Sequence, residues 1–200
     1  MAEWIQREAE RVVSRGLAFI GAPTSAGAFA PGQEKAPQVL RDAGIIAMLT
    51  RAGLDVVDLG DGPVWRWQPD RTNRFAQNLD AVVQNAQEVA TRVRQAVAAE
   101  LIPLVIGGDC TIELGTLAGH LPSDDRISLL YFDLHPDLNV PDSVREGALD
   151  WMGMAHVLGE VKAVEALSRM GPRFPLLDDD AVFFFSFGYW LPVLVQLTHR

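Results

Sequence analysis

Two apolar runs constrain this chain most, Leu101 to Ile106 and Ile127 to Phe132, because both are hydrophobic along nearly their whole length instead of alternating. A strand with one wet face alternates; a continuous run of this length fits a strand covered on both faces. Helical crossovers between parallel strands supply that cover. The expected class is therefore α/β, a three-layer αβα fold with a mainly parallel sheet and right-handed connections. Leu17 to Gly21 and Leu54 to Leu59 read as two further strands, the second closed by Gly60, Gly62 and Pro63. Between them, Val39, Leu40, Ala43, Ile46, Ala47 and Leu49 recur at helical intervals and predict one helix over Ala36 to Arg51. Phe75, Leu79, Val82, Val83, Ala86, Val89, Val93 and Val97 predict a long amphipathic helix with Arg and Gln on its wet face. Thr111 to Gly119 and Trp151 to Arg169 are predicted helices, and Ala181 to Phe187 a further strand.

A chain of 200 residues with 48% hydrophobic content suits one core, so a single domain over 1–200 is expected. Seventeen Lys and Arg against 26 Asp and Glu leave a net charge of −9, which excludes a partner held through a phosphate backbone, so no nucleic acid is expected. The one cysteine, Cys110, allows no internal disulfide, and the opening MAEWIQREAERVVSR lacks the features of a signal peptide. A reducing, cytoplasmic setting follows as the expectation. Ala181 to Leu197 is strongly apolar but falls short of the ~20 residues a membrane helix needs. It also contains Gly188 and Pro192, so a buried strand with a tail is expected, and no membrane span.

Ligands in such folds gather at the carboxyl ends of strands. Leu104 to Ile106 runs into Gly107, Gly108, Asp109 and Cys110, and Leu129 to Phe132 runs into Asp133, Leu134, His135, Pro136, Asp137, Leu138 and Asn139. If the extended conformation persists past Phe132, Asp133, His135 and Asp137 point the same way and converge on one cation. Two carboxylates and an imidazole suit a hard or borderline divalent metal such as Mn. The competing reading is a solvated turn capped by the Asp side chains. Gly107 and Gly108 allow backbone geometry closed to other residues, and Asp109 reads either as a cap of the following helix or as part of the site. No G-x-G-x-x-G opens a helix after a strand, which argues against a Rossmann nucleotide site.

Taken together, these segments resemble the ureohydrolase family of arginases, agmatinases and formimidoylglutamases. FIGAPTSAGAFAPGQEKAPQVLRDAGI resembles its opening strand, loop and helix, LDVVDLGD its second strand, IGGDCTIELGTLAGH its GGDHS-type block, and YFDLHPDLNVP its DAHxDxN block. The likeness spans residues 17–182, and the tail 183–200 is atypical. It implies an arginase-like sheet, hydrolysis of a guanidino or amidine C–N bond by a metal-activated hydroxide, and two Mn ions. By match to the motifs, Asp133, His135 and Asp137 are implied metal ligands, Asn139 a substrate contact, and Asp109 a support behind the first ligand.

Several positions depart from the family pattern. Cys110 stands where a histidine ligand is usual; as a thiolate it would favour Zn or Fe, or leave one metal poorly held, and it could equally be inert. Glu146 falls where a serine helps bind a substrate carboxylate, and would repel an anionic end. Asp150 replaces a proton-shuttling histidine, so proton transfer would need this carboxylate or a solvent chain, with Asp150 and Asp137 as the implied catalytic residues. His156 reads as a packed or solvated histidine. No DxDxxD segment follows, and Asp178, Asp179 and Asp180 are adjacent, as in a solvated turn. The later strands of the sheet are thus expected to be missing, with an exposed edge that invites a second copy. The alternative function is an inactive or metal-binding family member that acts only through association with another subunit.

Overall fold

The computed structural model describes residues 16–121 and 127–185. The opening segment read for an export signal and the apolar stretch after Phe185 lie outside the described residues.

Among the described residues the strands pair in parallel, as expected for an α/β fold, and they form two sheets. β1 (Leu17–Ala22) lies between β2 (Val56–Asp61) and β3 (Ile102–Gly107), while β4 (Leu129–Phe132) pairs with β5 (Val182–Phe185). Leu17 faces Val56 on one side and Ile102 on the other, so β1 is the covered centre of its sheet. Ala18, Phe19 and Ile20 are accordingly fully buried. The continuous apolar runs behave differently. β3 is half-buried throughout, and β4 alternates, with Leu130 and Phe132 exposed. The expectation that both runs are covered on both faces is thus corrected: among the described residues no layer lies over the outer face of β4 and β5, and no strand pairs with the outer edge of β3.

The predicted helix over Ala36 to Arg51 divides into α1 (Ala36–Asp42) and α2 (Ile45–Arg51). Gly44 takes φ +81 at the junction, a left-handed conformation that glycine adopts without a Cβ clash and that stops helical propagation. α3 (Leu79–Ala98) buries Val82, Ala86, Val89, Ala90, Val93 and Ala96 along one stripe, as its periodicity predicts. It packs on α4 (Ile112–His120) through Gly115 and Gly119. A Cβ at 119 would lie 2.6 Å from Val93 Cβ, and one at 115 would lie 2.8 Å from Val89 Cβ and overlap the Ala86 carbonyl. The two glycines therefore set the helix spacing.

Trp151 to Arg169 does not form the single helix expected of it. A 3₁₀ turn over Leu149–Met152 leads into α5 (Gly153–Val157), and α6 (Glu165–Ser168) follows after Gly159 at φ +64 and Lys162 at φ +74. Two positive-φ residues three apart cannot be accommodated in a right-handed helix. The larger core joins these short elements to α3 and α4 through Leu114, Leu149, Met152, Met154, Leu167, Leu176 and Leu177. Among the described residues no helix is long and apolar enough to cross a membrane.

Candidate metal centre

β3 and β4 end beside one another although they belong to different sheets. β3 runs into Gly107 and Gly108, where the tight fit comes from close approach and not from unusual dihedrals, since neither has positive φ. A Cβ on Gly108 would overlap the Thr24 carbonyl, which accepts the Asp109 N–H at 3.1 Å. Asp109 is 3% exposed and holds this corner together. Its Oδ2 accepts from the Gly27 N–H at 3.0 Å and its Oδ1 accepts from the Thr111 N–H at 3.1 Å. Asp109 is not the N-cap of α4, a position that Thr111 takes; its carboxylate instead ties the Thr111 and Gly27 amides together across the turn that carries Cys110.

The extended conformation ends at Phe132, and the chain bends through residues 133–135. Asp137 adopts φ +46, so strand alternation does not aim its side chain. Cys110, Asp133 and Asp137 converge, with one donor atom from each lying within 4.8 Å of the others. His135 is outside this cluster, with its side chain 61% exposed and Nδ1 3.7 Å from Asp133 Oδ1. The Asp133 carboxylate instead accepts the His135 N–H at 2.9 Å, as in a turn. The alternating geometry expected for the three residues is therefore replaced by two carboxylates and a thiol.

Electrostatics mark the same place. Asp137 is 5% exposed, and burial pushes its carboxyl up to about 6, with Asp133 adding repulsion while Tyr131, His135 and Cys110 favour the anion. Burial raises Asp150 to about 7, helped by the charges of Asp109 and Asp137. The Cys110 thiol is pushed up by burial and then by Asp137, Glu113, Asp150 and Asp133. Crowded, mutually repelling donors of this kind are what a divalent cation relieves, and two oxygens with a sulfur admit Mn, Zn or Fe. The residues present fit a metal.

The remaining expected site residues are not members of this cluster. Asp150 is buried, with Oδ1 lacking a hydrogen-bond partner, and its backbone N–H donates to Gly27 at 3.0 Å. Asn139 is tied into its loop, donating from Nδ2 to the Trp151 carbonyl at 3.2 Å and accepting from Ser143 Oγ at 3.2 Å. Glu146 is exposed, and its carbonyl accepts from Gln77 Nε2 at 2.6 Å. His156 is fully buried on α5, a packed histidine with neither ring nitrogen in a full hydrogen bond.

Sequence reasoning missed Glu113 and Tyr131, which border the cluster. Signals for both were present: Glu113 follows Cys110 by one helical turn, and Tyr131 shares a strand face with Asp133.

Residues 15–176 match the family model described as the arginase family. Arginase from Bacillus caldovelox is 33% identical over 168 residues, covering 83% of this chain and 56% of that protein. Human arginase-1 is 32% identical over 149 residues, covering 74% of this chain and 46% of that protein. The chain thus spans about half the length of these relatives. Among solved structures, arginase from Bacillus cereus superposes with a TM-score of 0.79 at 26% identity, over 92% of this chain and 60% of that one. The Bacillus caldovelox enzyme gives 0.77 at 27% identity, over 92% and 62%. With a family match across most of its length and a fold to agree with it, this chain belongs to the arginase family.

Proposed function

We propose that the chain serves the metal-dependent hydrolysis of a guanidino or related amidine C–N bond. The observation that carries this reading is the convergence of Cys110, Asp133 and Asp137 at the carboxyl ends of β3 and β4. When bound, a divalent cation lowers the pKa of a coordinated water and polarises the planar carbon of the substrate. The protein's own part is to hold and to position. Cys110, Asp133 and Asp137 would hold the ion, Mn or Zn, with exposed His135 free to turn in as a further ligand. Asp150, buried and with one oxygen free, would accept and return a proton as the leaving amine departs. Asn139 presents its amide from a loop anchored to Trp151. Glu146 disfavours a substrate with a carboxylate at its distal end and so favours one that ends in a cation or a neutral group.

The test is to count Mn and Zn per polypeptide and to assay urea or ammonia release from arginine, agmatine and formimidoylglutamate. Metal uptake with turnover, lost in Asp150→Asn while the metal is retained, is expected. No uptake by the unaltered chain overturns the reading.

A second reading, association with another subunit without turnover, draws on the outer face of β4 and β5, where Leu130, Phe132, Phe183 and Phe185 are all exposed. Metal uptake without turnover, accompanied by self-association, is the outcome that would favour it.

A further inference from the structure

Asp137 is the most buried donor of the metal cluster, and its positive φ takes it out of strand alternation. Some other contact has to orient it. The Tyr131 hydroxyl donates to Asp137 Oδ2 at 2.6 Å, a short bond of the kind expected for a hydroxyl on a carboxylate. Behind Tyr131 lies Glu113, whose carboxyl is within hydrogen-bonding reach of the same hydroxyl. We propose that Tyr131 and Glu113 act as positioning residues, a hydrogen-bonded arm from α4 through β4 that holds the Asp137 carboxylate toward Cys110 and Asp133. The inference rests on the metal-binding reading above and adds to it the reason that this cluster is preorganised.

Tyr131 has one hydroxyl proton and spends it on Asp137 Oδ2. Glu113 lies behind it, its carboxyl raised well above the usual carboxylate range by burial and by the charge of Asp137, with the Tyr131 hydroxyl opposing. One Glu113 oxygen, Oε1, is buried without a partner, and it abuts the first residue of α5: a Cβ on Gly153 would overlap it. Glu113 is therefore boxed in, with Tyr131 on one side and a glycine that leaves just enough room on the other. Cys110 lies two residues before α4, and the Glu113 N–H in the first turn of that helix donates to the Cys110 carbonyl at 3.1 Å. The entry to one helix thus presents a candidate ligand and also steadies a second one. Tyr131 engages one oxygen of Asp137, Oδ2.

Manganese titration of the metal-free 200-residue chain, read by the electron paramagnetic resonance signal of free Mn, tests the arm, with thermal melting in chelator as a parallel readout. Tyr131→Phe is expected to weaken Mn binding by roughly 10- to 100-fold, the range for loss of a hydrogen bond behind a ligand. Its metal-free melting temperature should stay near that of the unaltered chain. Glu113→Gln keeps a hydrogen-bonding side chain of the same size facing Tyr131 and should retain affinity within about threefold, whereas Glu113→Leu should weaken it as Tyr131→Phe does. Equal Mn affinity in the unaltered chain and Tyr131→Phe would overturn the arm and leave the metal-binding reading intact. No Mn uptake by the unaltered chain would overturn both. If Tyr131→Phe melts early, Glu113→Leu against Glu113→Gln decides the matter, since equal affinities in those two also overturn the proposal.

Discussion

The Gly27 N–H donates to Asp109 Oδ2 at 3.0 Å, and this bond ties the loop after β1 to the turn after β3. Thr111 N–H and the Thr111 hydroxyl use the other Asp109 oxygen. Asp109→Ala would leave these buried donors without acceptors, each costing ~1–3 kcal/mol. A loss of about 3 kcal/mol in urea unfolding of the metal-free chain is expected. Asp109→Asn keeps one acceptor oxygen and should lose clearly less. Equal losses in the two variants would show that packing, not hydrogen bonding, holds the corner.

Cys110 makes the metal preference of this chain testable. A thiolate favours Zn over Mn, whereas a serine hydroxyl at the same position is a weak, hard ligand. Cys110→Ser should therefore lower Zn affinity more than Mn affinity, shifting the Zn-to-Mn ratio by about tenfold or more in a competition titration. An unchanged ratio would mean that the thiol stays out of the metal's coordination sphere.

Gly115→Ala probes the seat of α4 on α3. Alanine would improve helix propensity by ~1 kcal/mol. Its methyl group, however, would meet the Ala86 carbonyl and lie 2.8 Å from Val89 Cβ, inside any normal contact. Overpacking of this kind costs ~1–3 kcal/mol, so a net loss of stability is expected. Calorimetry would check it: a higher melting temperature in Gly115→Ala would contradict the close packing.

His156 adds a pH dependence. Burial lowers its imidazole from 6.5 to about 4, with the Met152 carbonyl opposing weakly. Because the folded pKa lies below the unfolded one, the unfolded chain takes up the proton first as pH falls. The stabilisation is complete above pH 6.5 and is lost as pH drops toward 4, for a total of about 3 kcal/mol. The buried carboxyls shift in the opposite sense and are shared with a His156→Leu variant. Between pH 7 and pH 4.5 the unaltered chain should lose more stability than His156→Leu, as measured by urea midpoints. Parallel curves for the two would refute the prediction.

The outer face of the β4 and β5 pair presents stacked Phe132 and Phe185, with centroids 5.2 Å apart, beside exposed Leu130 and Phe183. An apolar patch on open sheet edges favours association. Light scattering at increasing concentration should show self-association that falls when Phe132 and Phe185 are replaced by Lys, with the metal cluster still able to take up Mn. A monodisperse, monomeric unaltered chain would contradict it.

How much of this was legible in the sequence differs from element to element. The α/β class, the parallel pairing and the long helix over Leu79–Ala98 follow from apolar periodicity, because burial acts on residue spacing and spacing is written in the chain. The break at Gly44 was visible only as a glycine, since a helical pattern runs on through it and the choice of positive φ belongs to the folded loop. Cover on strand faces was misjudged for β4, because an apolar run records what a strand can bury and not what lies against it.

At the candidate site, sequence alone determined the donor types and their position after two strands: Asp133, His135, Asp137, Asp109 and Cys110 follow apolar runs that end at one side of the fold. Only the tertiary structure decided which of them meet. A bend after Phe132 and the positive φ of Asp137 replace strand alternation, so Cys110 from another sheet joins Asp133 and Asp137 while His135 faces solvent. Glu113 and Tyr131 became part of the site in the same way, through contacts between α4 and β4 that link residues far apart in the chain. The physical reason is that spacing governs local direction, whereas convergence depends on how separate elements pack, and that is settled by the core they share.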